Sequence, residues 1–414
     1  MTTARVLLDV AVILVAAWAG GRLFERVGQP AVIGEIAAGV ALGPTLLGAF
    51  PGDPSASLFP ADARAVLTLI GQLGLALFMF AVGWDLNLKV VRRREGAAAS
   101  VSVFSILLPF ALGLGLAAYL HHEHGTVGGE PVPFGPFALF IGAALAMTAF
   151  PVLARILNDM RLSATPLGAL VLTAAAIDDV IGWTILAVAL AALKASSAWE
   201  YVRIGVECAA FVAVVLYVVR PLLRRMTASA LVLPIALAGA YVTDAIGIHA
   251  VFGAFLVGVA MPRPQDNEAR RTLAPVVAVL APIYFVMSGM AVDIPGLRAA
   301  DLVAFVLILV AACAGKFLGA YAGARLARIP RRDAAAVGVL MNTRGLIEIV
   351  LLTVGRDQGL IDDRLFTLFA LMAIATTLLT SPALRRLRRR GIRSARDTVD
   401  IAPQRRSAAR AGQD

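Results

Sequence analysis

Two aspartates, Asp178 and Asp179, stand side by side in the run AAAIDDVIGW, which is otherwise apolar. Adjacent helical side chains diverge by about 100°, so the two carboxylates cannot face one partner. They repel each other and titrate as a coupled unit. Such a pair can hold a cation and take protons in turn. Five further charges interrupt apolar runs: Glu35, Glu207, Lys316, Arg344 and Glu348. A charge at bilayer depth costs about 2.5–3.5 kcal/mol on insertion scales, so each marks a function or a buried partner. Lys316, in CAGKFLGA, is a lone ammonium whose simplest partner is an aspartate, with Asp178 the natural choice. Arg344 and Glu348 are spaced i, i+4, which fits an ion pair within one helix or pairing across to another segment.

Two stretches carry helix-breaking chemistry. MTAFPVLARI places Pro151 just after Thr148, and LMNTRGLIEI places Asn342, Thr343, Arg344 and Gly345 in mid-run. Broken helices in two halves of a transporter free carbonyls for a cation and present half-helix ends as dipoles. The histidines His121, His122 and His124 could bind a metal, but read as a solvated outer loop with no close-packed scaffold. Cys208 and Cys313 read as small core side chains.

The elements that position these residues are membrane spans. The chain has 414 residues, 59% hydrophobic and only 15% charged, against about 25% charged in soluble domains. Its mean hydropathy is +0.83. Thirteen apolar runs are expected to cross a bilayer, at about 6–24, 30–47, 65–86, 96–119, 134–158, 164–193, 203–222, 229–244, 247–262, 273–291, 300–325, 332–355 and 363–384. Alternate connections are basic, with Arg22 and Arg26, Lys89 and Arg92 to Arg94, Arg155 and Arg161, Arg220, Arg224 and Arg225, Arg263, Arg270 and Arg271, and Arg325 to Arg332. The opposite set holds isolated cations. This bias places the N-terminus outside and the C-terminus in the cytoplasm. The net charge of +10 follows from these loops and the tail, a pattern for anionic lipid and not for nucleic acid. The polar, basic stretch 391–414 reads as a disordered cytoplasmic tail.

In order along the chain, GQPAVIGEIAAGVALGPTLLG, GLALFMFAVGWDLNL, AMTAFPVLARIL, AAAIDDVIGW, CAGKFLGA and MNTRGLIEIVLL resemble the monovalent cation:proton antiporter-2 family of the sodium/hydrogen exchanger superfamily, with its Kef-like and plant exchanger-like members. The resemblance covers about residues 8–385. It implies one transmembrane domain over 1–390, an all-α polytopic fold of thirteen helices in two inverted repeats whose broken fifth and twelfth spans cross. It also implies a core at about 96–193 and 300–385, a dimer scaffold at about 6–86 and 229–291, and a linking helix at about 203–222. By similarity Asp179 is the main cation- and proton-binding carboxylate, Asp178 pairs with Lys316, Thr148 and its neighbours line the site, and the chain forms a homodimer. The Asp-Asp pair points to electrogenic sodium exchange, while TAFPVLARIL and NTRGLIE belong to the plant-like branch and leave K⁺ open.

The expected function is secondary active exchange of a monovalent cation, Na⁺ or K⁺, for protons by alternating access across the cell membrane. No enzymatic constellation and no cofactor are implied. If Asp178 turns toward a cation on Asp179, Lys316 is freed to release a second proton. The competing readings are a regulated cation channel or efflux gate, and an organic-cation or drug exporter with specificity widened around Trp84 and Trp183.

Overall fold

The computed structural model describes residues 3–85, 95–160, 162, 165–194, 198–225, 231–247, 249–262 and 268–389. The expected tail at 391–414 and the basic positions Lys89, Arg92 to Arg94, Arg161 and Arg263 lie outside them. The chain runs through α1 (Thr3–Arg26), α2 (Ala31–Leu42), a short α3 (Pro54–Leu58), α4 (Ala61–Asp85) and α5 (Glu95–His124). A hairpin of β1 (Thr126–Val127) and β2 (Glu130–Pro131) follows, pairing Thr126 with Pro131 and turning on Gly128 and Gly129, both at positive φ. Then come α6 (Phe134–Ala146), α7 (Phe150–Asp159), α8 (Pro166–Lys194) and α9 (Ala198–Val214), which passes through a π-helical turn at Val215–Val219 into α10 (Arg220–Arg225). The last part comprises α11 (Val232–Ile246), α12 (Ala250–Ala260), α13 (Glu268–Met290), α14 (Ala299–Leu326), α15 (Arg331–Met341), α16 (Leu346–Asp357) and α17 (Asp363–Arg389).

Among the described residues, eight helices are long and apolar enough to cross a membrane. Each of the other expected spans falls on a shorter helix (α2, α11, α12) or on a broken pair (α6–α7, α15–α16). The protein is an all-α polytopic membrane protein.

Both breaks have local causes. Pro151, in the first turn of α7, has no amide hydrogen to donate to a turn before it; Met147 is already extended, at ψ 149°. In the second break Gly345 sits at φ 149°, a region that a side chain rarely tolerates.

Helix packing repeats with a two-fold pattern. α1 packs on α2 as α11 does on α12, and α2 packs on α13 as α12 does on α4, while α5 packs on α14. The close approaches repeat too. Gly20 and Gly34 bring the α1 and α2 backbones together, and Gly239 and Gly253 do the same for α11 and α12. Gly39 lies against the Val286 carbonyl, and Gly258, at the same spacing from Gly253, lies against that of Phe80. Equivalent spans are an odd number apart in the chain, so they run in opposite directions, as in inverted-repeat transporters. One apolar cluster, including Val101, Leu153, Val171, Ala320 and Val337, packs α5, α7, α8, α14 and α15 together. A second, including Phe80, Val215, Ala236, Ala254 and Leu273, packs α4, α11, α12, α13 and the π turn. A larger cluster through Phe137, Trp183, Phe285 and Phe366 joins the two sets.

Candidate functional site

The two unwound stretches meet. The Ala149 amide donates to the Thr343 carbonyl at 3.0 Å, and Thr148 Oγ1 lies 3.1 Å from the Met341 carbonyl. Four half-helix ends therefore converge, and each faces a group of opposite character. At the C-terminus of α6, the Ala144 and Leu145 carbonyls accept from Arg344 Nη1 and Nη2 at 2.7 and 2.6 Å. At the end of α15, the Met341 carbonyl has the Thr148 hydroxyl. The first turn of α16 carries Glu348, whose Oε1 accepts from Arg344 Nη1 at 2.8 Å. The first amide of α7, that of Phe150, is turned toward Asp179. Arg344 thus makes both contacts that its spacing left open, the i, i+4 pair and the link across to the opposite half-helix.

The two aspartates, in the middle of α8, have unlike surroundings. Asp178 Oδ1 accepts from Ser102 Oγ at 2.7 Å. Its Oδ2 lies 2.7 Å from Ser105 Oγ, 3.1 Å from Thr148 Oγ1 and 2.8 Å from Lys316 Nζ. Asp179 is fully buried, at 0% exposure, and neither of its oxygens has a hydrogen-bond partner among the described residues. Lys316, Arg344, Thr148 and Thr343 are likewise at 0%. The Thr343 hydroxyl closes on the Leu340 carbonyl, and Thr377 donates to the Arg344 carbonyl at 2.7 Å, tying α17 to the break. Asn342 reaches Cys313 Sγ at 3.7 Å. Two adjacent carboxylates on one helix thus differ in surroundings, one held by four donors and the other making no hydrogen bond.

Comparison with known proteins decides the family. The family model described as sodium/hydrogen exchanger, transmembrane, matches residues 10–388. The chain belongs to the sodium/hydrogen exchanger family. It is 38% identical over 397 residues to the Na⁺/H⁺ antiporter NhaS4 of Synechocystis sp., covering 92% of this chain and 96% of that protein. It is 34% identical over 387 residues to cation/H⁺ antiporter 20 of Arabidopsis thaliana, covering 87% of this chain and 46% of that one. With K⁺/H⁺ antiporter 1 of Saccharomyces cerevisiae it shares 33% identity over 382 residues, covering 87% and 43%. The chain thus spans about half the length of these plant and yeast relatives. The structure of the sodium proton antiporter MjNhaP1 from Methanocaldococcus jannaschii at pH 8 has the same fold, with a TM-score of 0.66 at 16% identity, over 93% of this chain and 96% of that one.

In this exchanger-family chain the structure brings Thr148, Asp178, Asp179, Lys316, Asn342, Thr343, Arg344 and Glu348 to one crossing, with Pro151 in the adjoining first turn of α7. Ser102 and Ser105 were missing from the sequence-based site. Their signal was a pair of hydroxyls at i, i+3 in the apolar run SVSVFS.

Other expectations change. Glu207 is not a buried charge: its side chain is 42% exposed on α9, 3.9 Å from Arg203. The histidines are not a solvated loop, because α5 continues through them. His121 bonds the Val132 carbonyl at 2.8 Å and packs on Phe134 and Phe137, His124 bonds Asp362 at 2.9 Å, and only His122 is open to solvent. No three His, Cys, Asp or Glu side chains converge as a metal site among the described residues. Cys208 and Cys313 are free and only partly buried, not core side chains. Trp84 donates to the Pro262 carbonyl and Trp183 packs edge-on against Phe252, so both rings are committed to packing. Glu35 is on α2, which packs on α1 and α13.

Proposed function

We propose that this chain exchanges a monovalent cation, Na⁺ or K⁺, for protons by alternating access, with Asp179 binding the cation and the proton in turn. The single observation that carries this reading is the contrast between the aspartates. Asp178 has four donors within 3.1 Å, whereas Asp179 is buried with only the Phe150 amide turned toward it and no hydrogen bond formed. A carboxylate in that state is stable only with a proton or a bound cation, and a group with those two states is what antiport requires. The names of the relatives, Na⁺/H⁺, cation/H⁺ and K⁺/H⁺ antiporters, support the same chemistry and leave the choice of ion open.

The proposed moving core comprises residues 96–193 and 300–385, and the proposed scaffold 6–86 and 229–291, with 203–222 as the linking helix and a homodimer formed through the scaffold. Two adjoining cavities, of about 180 and 520 Å³, support this division. They share Thr68, Gln72 and Asp357, and they lie between α4, α11, α12 and α13 on one side and α16 on the other. The lining residues Arg64, Asp244 and Arg356 stand near the ends of their helices, and the loop-charge bias supports the reading that these ends face outward from a cell membrane, with the N-terminus outside and the C-terminus in the cytoplasm.

The test is purified protein in liposomes under an imposed pH gradient, with Na⁺, K⁺ and Li⁺ added in turn. The wild type dissipates the gradient with at least one of them, and Asp179→Asn, folded by size-exclusion profile, does not. Exchange by Asp179→Asn near the wild-type rate removes Asp179 from the reaction. Cation flux without proton movement replaces antiport with a channel.

A further inference from the structure

Three buried hydroxyls meet at the seam between the proposed scaffold and the proposed core, away from the crossing. Tyr284 and Ser288 stand one helical turn apart on α13, so they share a face, and Thr353 comes from α16. Their exposures are 5%, 4% and 7%. Thr353 Oγ1 lies 3.4 Å from Ser288 Oγ. The Tyr284 hydroxyl faces both of them, yet it makes no hydrogen bond among the described residues. A buried hydroxyl left in that condition is costly and calls for a partner. The backbone beneath it is held by α4, which crosses so closely at Gly71 that a Cβ there would come within 3.2 Å of Tyr284 Cα. All three hydroxyl residues line the cavity of about 180 Å³.

We infer that the Tyr284, Ser288 and Thr353 oxygens form a transit site for a partly dehydrated monovalent cation on the outer approach, assembled only while core and scaffold stand as they do here. The inference rests on the antiport reading and adds to it a cation station separate from Asp179. A hydroxyl has two lone pairs and one proton, so the trio offers more acceptors than donors, which suits a cation and not an anion. Neutral oxygens replace part of a hydration shell and hold the ion less firmly than a carboxylate, and a transit site must release what it binds. The charges around the cavity are already engaged. Arg356 pairs with Asp357 at 3.1 Å and lies over the Phe366 ring, and Arg64 donates to the Phe59 carbonyl and the Ser55 hydroxyl. Thr353 follows Glu348 on α16 and lies about 7.5 Å further along the helix axis from the crossing. Tyr284 and Ser288 belong to one body and Thr353 to the other, so displacement of the core separates the ligands. The stroke that carries Asp179 inward thus dismantles the station, which does not compete for the ion on the far side.

Two measurements test the site. The first uses binding and needs no transport. In an Asp179→Asn background, the melting temperature in detergent is followed against Na⁺, K⁺ and Li⁺ at constant ionic strength, since an ion that binds the folded state stabilises it. A cation-dependent rise is expected to persist. Tyr284→Phe, which removes only the hydroxyl, should move its midpoint to about fivefold higher concentration, the effect of one lost polar contact, and Tyr284→Phe with Thr353→Val should remove the rise. The second compares right-side-out and inverted membrane vesicles with Asp179 intact. Tyr284→Phe should raise the half-saturating concentration of cation about fivefold from the outer side and leave it unchanged from the inner side. A midpoint unmoved in both measurements, or a half-saturating concentration raised equally from both sides, overturns the site and leaves the hydroxyls as packing contacts. Wild-type protein that exchanges none of the three cations counts against the antiport reading alone, and the melting curves then decide the site. If Tyr284→Phe does not fold, Thr353→Val alone gives the same decision.

Discussion

Replacing Arg344 by methionine separates packing from charge at the crossing. Methionine nearly matches the arginine stem in length and is apolar, so the site stays filled. What is lost is three hydrogen bonds, to the Ala144 and Leu145 carbonyls and to Glu348 Oε1, at 2.7, 2.6 and 2.8 Å. Glu348, only 2% exposed, is left without its counter-charge. Breaking a buried pair by removing one partner costs about 3–5 kcal/mol, and two carbonyls left without donors add about 1–3 kcal/mol each. Neutralising the stranded acid should return much of the first term. Arg344→Met/Glu348→Gln is therefore expected to be about 3 kcal/mol more stable than Arg344→Met alone, although it carries one more substitution. Glu348→Gln alone should cost less than Arg344→Met, because the guanidinium keeps both carbonyls. The assay is a double-mutant cycle on melting in detergent, read by circular dichroism. If the double variant is less stable than Arg344→Met by the full cost of Glu348→Gln, the two side chains are independent and Arg344 acts through its bulk alone.

Other consequences follow from the packing and the charges. Gly39→Val and Gly258→Val place a Cβ where a carbonyl oxygen lies 2.1 Å away, so both should lower folded yield sharply and by the same route; a well-folded Gly258→Val protein would contradict the packing of α12 on α4. In a chain lacking Cys208 and Cys313, cysteines at Gly128 and Arg331 should react with an impermeant maleimide from opposite sides, and reaction from one side would reverse the orientation assigned to the spans between them. Na⁺-driven exchange under a potential set by K⁺ and valinomycin should respond to voltage in the wild type, and Lys316→Gln should blunt that response or abolish transport; voltage-indifferent wild-type exchange would remove the second proton.

The spans and breaks were legible because their causes are local. Twenty apolar residues need no tertiary partner to declare a span, and Pro151 and Gly345 break a helix wherever they stand. The Asp178–Lys316 pair was legible for a related reason, since each charge needs a counter-charge and few were available. Ser102 and Ser105 were not. A serine in an apolar helix can satisfy itself on a carbonyl of the preceding turn, so its presence implies no partner, and only the contact between α5 and α8 turns these hydroxyls into ligands of Asp178. His121 and His124 misled for a different reason: hydrophobicity ends near Leu120 while the helix runs on to His124, held by the β hairpin and Asp362. Glu207 shows the limit of reading depth without face. Its position in an apolar run fixes how far along α9 it lies, but not that its side points outward beside Arg203.

The same limit governs the two aspartates. Their divergence follows from helix geometry, but which of them meets Lys316 depends on the rotation of α8. That helix is apolar almost all round, so no stripe in its sequence fixes the rotation. Its rotation is fixed by its neighbours: α5 supplies two serines and α14 supplies a lysine on one side, while the start of α7 supplies only the Phe150 amide on the other. The proposed division of labour is therefore a property of the surroundings. Exchanging donors between the two sides, by removing both serines and placing a hydroxyl beside Asp179, would be expected to even out the two carboxylates and so weaken the contrast on which a single exchanging group depends.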